Sequence, residues 1–171
     1  DLTQAFDQTA AASQKLRLGG RPAEVRIAAL PAIAQLWLSP RLPAIRDAAP
    51  EIAISVFALE TPPNMKREHF DLSIFYEAAE GVAATIDLGL DEIFPVSAPG
   101  VGPNAPKLFD AAWADDWSLW SGAQTPANGP VFSLYSLALA EAAAGAGVLI
   151  GHSHLVADHL TRGDLIADTK R

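Results

Sequence analysis

The sequence predicts an α/β protein, built as one domain or two small lobes, and three observations predict it. From residue 24 onward, short apolar runs alternate with stretches of helical periodicity. Half of the 171 residues are apolar, ample for a packed core. A Pro- and Gly-rich segment over 99–106 interrupts the pattern and is the best candidate for passage from one lobe to another.

Each element follows from local chemistry. In "DLTQAFDQTAAASQKLRLGG" the residues Leu2, Phe6, Thr9, Ser13 and Leu16 recur at 4, 3, 4, 3, the heptad spacing that turns one stripe of a helix toward a partner. Two of those positions are hydroxyls, so a solvated helix packed on its own domain stands beside that reading. Gly19, Gly20 and Pro22 end the helix and open a linker. "EVRIAAL" reads as a strand, and "AIAQLWLSPRLPAIRDAA" as a helix with Ile33, Trp37, Leu38, Leu42 and Ile45 on its apolar stripe. Pro40 and Pro43 cannot donate within that helix, so it should kink or restart there. "EIAISVFAL" is a second strand, "TPPNMKREH" a turn or short helix, and "FDLSIFY" a third strand. Beyond them "DEIFPVSAP" is a further apolar run, "GVGPNAP" a turn cluster, "SLYSLALAEAAAG" a long helix, "AGVLIG" a strand, "HLVADHLTRG" a helix and "DLIA" a last strand. Strands interleaved with helices imply a parallel sheet covered on its faces.

Composition excludes several classes of function. Lys and Arg total 12 against 20 Asp and Glu, a net charge of -8, which makes the chain a poor nucleic-acid binder by itself. Cysteine is absent, which removes disulfides, thiolate metal sites and a cysteine nucleophile, and fits a reducing, cytoplasmic setting. No apolar run approaches the ~20 residues of a bilayer-spanning helix, so no membrane partner is expected. The chain opens on Asp1 rather than methionine and is expected to be a piece of a longer protein.

The stretch "GAGVLIGHSHLVADHLTRGDL" carries the densest cluster of chemically suggestive residues. Its glycines at 145, 147 and 151 follow a helix and precede a strand, the reverse of a dinucleotide fingerprint. Gly145 and Gly147 therefore read as a helix cap and a tight turn, and no cofactor is expected. His152, His154 and His159 lack convergent metal-ligand spacing and read as exposed or capping side chains, with His69 elsewhere in the chain and no metal expected. Asp91 with Glu92 and Asp115 with Asp116 are adjacent pairs that point apart, best read as solvated surface. Trp113, Trp117 and Trp120 recur at four and three, a helical stripe more often used for core. No G-x-S-x-G elbow or S-x-x-K occurs, so no catalytic residue is assigned and an enzyme is not expected.

Taken in order, "VRIAALPAIAQLWLSPRLPAIRDAAPEIAISV", "FDLSIFY", "EIFPVSAP", "WSLW" and "GPVFSLYSLALAEAAAGAGVLIGHSHLVADHLTRGDLIA" resemble the effector-binding domain of LysR-type transcriptional regulators. Within that family the chain is similar to the branch of the glycine-cleavage and β-lactamase activators. The likeness runs from about residue 24 to 167.

The resemblance implies two Rossmann-like lobes of the type 2 periplasmic-binding-protein fold, preceded by the end of a linker helix. By it, residues 1–20 are that helix, 24–96 with 166–171 form lobe I, and 97–165 form lobe II, the chain crossing near 95–98 and returning near 166. It implies a small-molecule effector in the inter-lobe cleft, contacted by Pro31, Ala32, Ile33, Ala58, Leu59, Glu60, Tyr76, Ser97, Phe132, Ser133 and His152. A homodimer would use Ile33, Trp37, Val56, Leu137 and Glu141, and the intact protein would form a tetramer. Promoter DNA would be bound only through an N-terminal helix-turn-helix lying outside these residues. Ala32 and Leu59 replace polar residues common in relatives, and Phe75 stands at a position usually arginine-like, which favours a partly apolar effector. The ending "DLIADTKR" lacks the strand and helix that complete lobe I in the family. A solute-binding protein of a transporter shares the fold and is the alternative. Ligand-biased lobe closure is the implied mechanism.

Overall fold

A computed structural model describes residues 23–77 and 86–168. The linker-helix reading of 1–20, with Leu2, Phe6 and Leu16, and the end of the chain from 169 lie outside them. The chain divides into two compact units, the first running to Ala34 and from Leu38 to Leu90, the second taking Gln35–Trp37 and Asp91 onward.

The first unit is a three-stranded sheet of order β2-β1-β3, with β1 at Ala23–Ala29, β2 at Ile52–Ala58 and β3 at Leu72–Ile74. Both pairings are parallel, with Ile27 opposite Val56 on one side and Leu72 on the other. A central parallel strand is walled on both sides, and β1 accordingly buries Val25, Ile27, Ala28 and Ala29. Parallel neighbours need a crossover, and 33–48 supplies it. The prolines divide it as expected: a π-helical turn over Ile33–Leu38, a 3-10 turn over Ser39–Arg41 and helix α1 over Leu42–Ala48. The return from β2 to β3 contains no helix among its residues. Asn64 organises a turn there, its side-chain oxygen accepting from the backbone N–H of Lys66 at 3.1 Å.

The second unit holds β4 (Ile93–Ser97), β5 (Phe109–Asp110), α2 (Asp116–Ser121), β6 (Val131–Phe132), α3 (Tyr135–Ala143), β7 (Leu149–His152), α4 (Ser153–Arg162) and β8 (Ile166–Ala167). Here the expectation of a parallel sheet fails, because β4 runs antiparallel to both β7 and β8 in a sheet of order β7-β4-β8. Alternation of apolar runs and helices encodes which elements are buried, and a strand buried on both faces reads the same in either direction. A separate parallel pair joins β5 to β6. The division between units falls at Leu90 and Asp91, ahead of the crossing expected at 95–98, and β8 pairs within the second unit.

Helix α3 lays Tyr135, Ala138, Leu139 and Ala142 inward, the stripe an amphipathic helix presents to a core, and leaves Leu137 and Glu141 exposed. Phe109, Trp117 and Ile150 pack together, and the Trp117 indole N–H donates to the Leu108 carbonyl at 3.0 Å. The glycine reading holds: Gly145 sits at φ +85 after α3, and the N–H of Ala146 reaches back to the Glu141 carbonyl at 3.0 Å. At Gly147 a Cβ would lie 2.4 Å from the Pro106 carbonyl oxygen, so the turn into β7 admits no side chain.

Candidate functional site

Strand β7 ends on His152, and the pairing of β4 with β7 sets Ile93 opposite it. The residues just before β4 are thereby carried alongside the start of α4. Two further bonds prolong that contact: the N–H of Ser153 donates to the Glu92 carbonyl at 2.8 Å, and the N–H of Glu92 donates to Ser153 Oγ at 3.1 Å. The Ser153 hydroxyl in turn donates to Asp91 Oδ1 at 3.0 Å.

Asp91 and Asp116 then close on the two sides of the imidazole. His152 Nδ1–H donates to Asp91 Oδ2 at 2.5 Å, and Nε2–H donates to Asp116 Oδ2 at 3.0 Å. The side chains are 7% exposed for His152, 12% for Asp91 and 13% for Asp116. The Trp113 ring lies against the imidazole at 4.1 Å between centroids, and Tyr135 meets it edge-on at 5.5 Å. Tyr135 also fixes the strand end, its hydroxyl donating to the Ile150 carbonyl at 3.1 Å and accepting the His152 N–H at 3.2 Å.

Charge follows from this geometry. Burial favours the neutral imidazole, but the hydrogen bonds and fields of Asp116 and Asp91 outweigh it and lift the His152 pKa to about 9. His152 is an imidazolium at neutral pH. Burial also works against ionised Asp91, yet the bonds from His152, Ser153 and the His154 backbone N–H prevail and hold its pKa below the ordinary carboxylate value. Asp91 thus supplies a carboxylate to the first turn of α4, where the helix dipole favours one. Asp110 behaves oppositely. Burial raises its pKa, against the pull of the Ala112 and Trp113 backbone N–H groups, which donate to its Oδ1 at 2.8 and 3.1 Å.

An imidazolium that donates from both nitrogens has no lone pair for a metal or a substrate proton. Its chemical role is to lock three segments, at 91, 116 and 152, into one charged cluster. This corrects two expectations. His152 is neither exposed nor a cap but a buried ion-pair centre. Asp91 and Asp116 are not solvated surface: within each adjacent pair one carboxylate turns in while Glu92 and Asp115 stay exposed. The Trp stripe is split likewise, Trp117 entering the apolar core and Trp113 leaning on the imidazolium from outside α2. The other histidines match the surface reading, His69 and His154 exposed and His159 half-buried beside Asp164. Among the described residues no group of His, Asp and Glu is arranged to hold a metal.

The residues implied as effector contacts cluster in part. In the first unit the parallel strands bring Pro31, Ala32 and Ile33, Ala58, Leu59 and Glu60, and Tyr76 to one edge of the sheet. That edge is stitched by the Leu59 N–H donating to the Ala29 carbonyl at 2.9 Å and the Leu30 N–H to that of Ile74 at 3.2 Å. Ala32 and Ile33 are buried, Pro31, Leu59 and Tyr76 half-buried, and Ala58 and Glu60 exposed. In the second unit the antiparallel register puts Ser97 at the far end of β4 from His152. Phe132 sits opposite Asp110 in the β5–β6 pair, with Ser133 exposed after it.

Known proteins share this architecture. A family model described as the LysR substrate binding domain matches residues 19–169. The glycine cleavage system transcriptional activator of Escherichia coli K12 is 25% identical over 97% of this chain and 60% of its own length. The HTH-type transcriptional activator AmpR of Rhodobacter capsulatus is 30% identical over 87% of this chain and 57% of its own. The effector-binding domain of AmpR from Citrobacter freundii superposes with a TM-score of 0.63 at 20% identity, covering 87% of this chain and 82% of that one. The chain therefore spans 51–60% of the length of the curated relatives it matches, and these are transcriptional regulators rather than solute-binding proteins. The fold is the two-lobed, periplasmic-binding-protein-like α/β fold of those domains. The chain belongs to the LysR substrate binding domain family.

Proposed function

We propose that this chain is the effector-sensing part of a cytoplasmic LysR-type regulator whose promoter DNA is bound by a separate N-terminal helix-turn-helix. The observation that carries the reading is the family match across 19–169, nearly the whole chain. A net charge of -8 supports assigning DNA contact to another segment. The relatives' names describe regulators, which supports a sensing rather than a catalytic role.

The effector is a small molecule contacted by Pro31, Ala32, Ile33, Ala58, Leu59, Glu60 and Tyr76, with Ser97, Phe132 and Ser133 as further contacts. Apolar Ala32 and Leu59 and the half-buried Tyr76 support a ligand with an apolar portion. His152 serves by holding the end of β7, since both its ring nitrogens are engaged. Self-association sets Ile33, Trp37 and Val56 of one copy against Leu137 and Glu141 of the other, a pairing supported by the exposure of Leu137 at 49%.

A thermal-shift screen of the chain against amino acids, aliphatic carboxylates and aromatic acids tests the first part. A compound at 100 times its Kd raises stability by about 2.7 kcal/mol, a shift of several degrees. Tyr76→Ala is expected to abolish that shift. No stabilising compound, or an unchanged shift in the variant, overturns the assignment. Sedimentation of Leu137→Glu, expected to lower the mass of the assembly, tests the second part.

A further inference from the structure

We propose a second small-molecule site, on the second unit and built by none of the effector contacts named above, that takes a small organic carboxylate. The observation is an open depression of about 500 Å³ lined by residues 105–107 and 124–126 with Asn128. A volume of this order suits a small metabolite.

Its lining is unusual for this chain. Among the described residues no acidic side chain lines the depression, and the one charged residue in its lining is Lys107. The Lys107 ammonium lies 4.6 Å from the centre of the Trp117 ring, and among the described residues it has no carboxylate partner. The ring attracts the cation but satisfies none of its three N–H donors. The side-chain amides of Gln124 and Asn128 likewise have no hydrogen-bond partner among the described residues. Two hydrogen bonds tie neighbouring residues to the second unit. The Trp117 indole is anchored to the Leu108 carbonyl at 3.0 Å, and the Thr125 N–H donates to Ser118 Oγ at 2.9 Å. Lys107 and the exposed amides of Gln124 and Asn128 border one open hollow, where the ammonium can pair with a carboxylate and the amides can donate to further oxygens of the same molecule.

The test is a titration of the intact chain followed by 1H–15N spectroscopy, with succinate as probe and succinamide and inorganic phosphate as comparators. Succinate is expected to shift the Trp117 indole and the Gln124 and Asn128 amide signals saturably, leaving the His152 backbone signal in place. Lys107→Met is expected to weaken binding by at least about tenfold. Because that change also removes the contact with Trp117, Asn128→Ala on its exposed loop is the second variant, expected to weaken binding while leaving the free protein's Trp117 signal unmoved. No response to succinate, an equal response to succinamide or phosphate, or undiminished binding in both variants overturns the proposal.

Discussion

In the first unit β1 buries Val25, Ile27, Ala28 and Ala29 among apolar neighbours, whereas in the second β7 closes on His152 held between Asp91 and Asp116. The first arrangement depends on area removed from water and is indifferent to pH. The second depends on charge kept out of water, so each member is costly once its partner is gone. Two units of similar fold class therefore tolerate different insults.

The contrast is greatest for His152→Ala. It strands two nearly buried carboxylates beside each other, with Asp110 close by, and is expected to cost about 3–5 kcal/mol. Ile27→Val, made at a fully buried site in the first unit, is expected to cost about 0.5–1.5 kcal/mol. Urea unfolding at pH 7, followed by tryptophan fluorescence for the second unit and by circular dichroism for both, measures the two. If His152→Ala costs no more than Ile27→Val, the charged cluster does not hold the second unit together.

Next in size is the pH dependence of the wild-type chain. Folding raises the His152 pKa from 6.5 to about 9, so the folded state keeps a proton that the unfolded state releases earlier. The resulting stability is about 3 kcal/mol, since each tenfold gain in proton affinity is worth about 1.36 kcal/mol. It is fully present below pH 6.5 and lost as pH rises through 9. Asp91, its pKa depressed on folding, contributes stability above 3.8 that fades as pH falls below that value. The cost of Ile27→Val should stay flat over the same range. A stability profile level from pH 6.5 to 9 would show that His152 is neutral in the fold.

The two units also differ in how much of them the sequence discloses. Period-two and period-3.6 patterns locate β1, β2, α3 and α4 within a residue or two, and Pro40 marks the break between helical types. Those signals are local. Strand direction is not, and the direction of β4 escapes the pattern because Ile93–Ser97 is apolar whichever way it runs. The site is legible only as His152 at a strand end. Its partners lie 61 and 36 residues away, and no spacing rule connects them. One local signal points toward it: Trp113 precedes Asp116 by one helical turn beside an otherwise apolar stripe, which places a carboxylate where core is expected.

Within the cluster the two carboxylates are unequal. Asp91 accepts from the side chains of both His152 and Ser153, while the bond that defines Asp116 is the one from His152. Asp91→Asn should therefore cost about 2–3 kcal/mol and Asp116→Asn about 1–2, since hydrogen bonds to charged groups contribute about 1.5–3 each. Both should lower the His152 pKa, Asp91→Asn also loosening the start of α4. NMR titration of the His152 ring together with thermal unfolding ranks them, and the reverse order would make Asp116 the principal counter-ion.

Asp110 should matter least, and it separates buried charge from buried geometry. Its Oδ1 caps the Ala112 and Trp113 N–H groups, a task that an asparagine oxygen performs equally well. Its negative charge, by contrast, is disfavoured by burial and by Asp116, which is why its pKa rises on folding. A raised carboxyl pKa means that ionisation at neutral pH costs the folded state stability, and Asp110→Asn removes that cost while retaining the bonds. The substitution should leave stability within about 0.5 kcal/mol of wild type, or raise it slightly. A loss beyond about 1.5 kcal/mol would mean that the imidazolium draws on Asp110 as well, and that the cluster in the second unit extends to a third carboxylate.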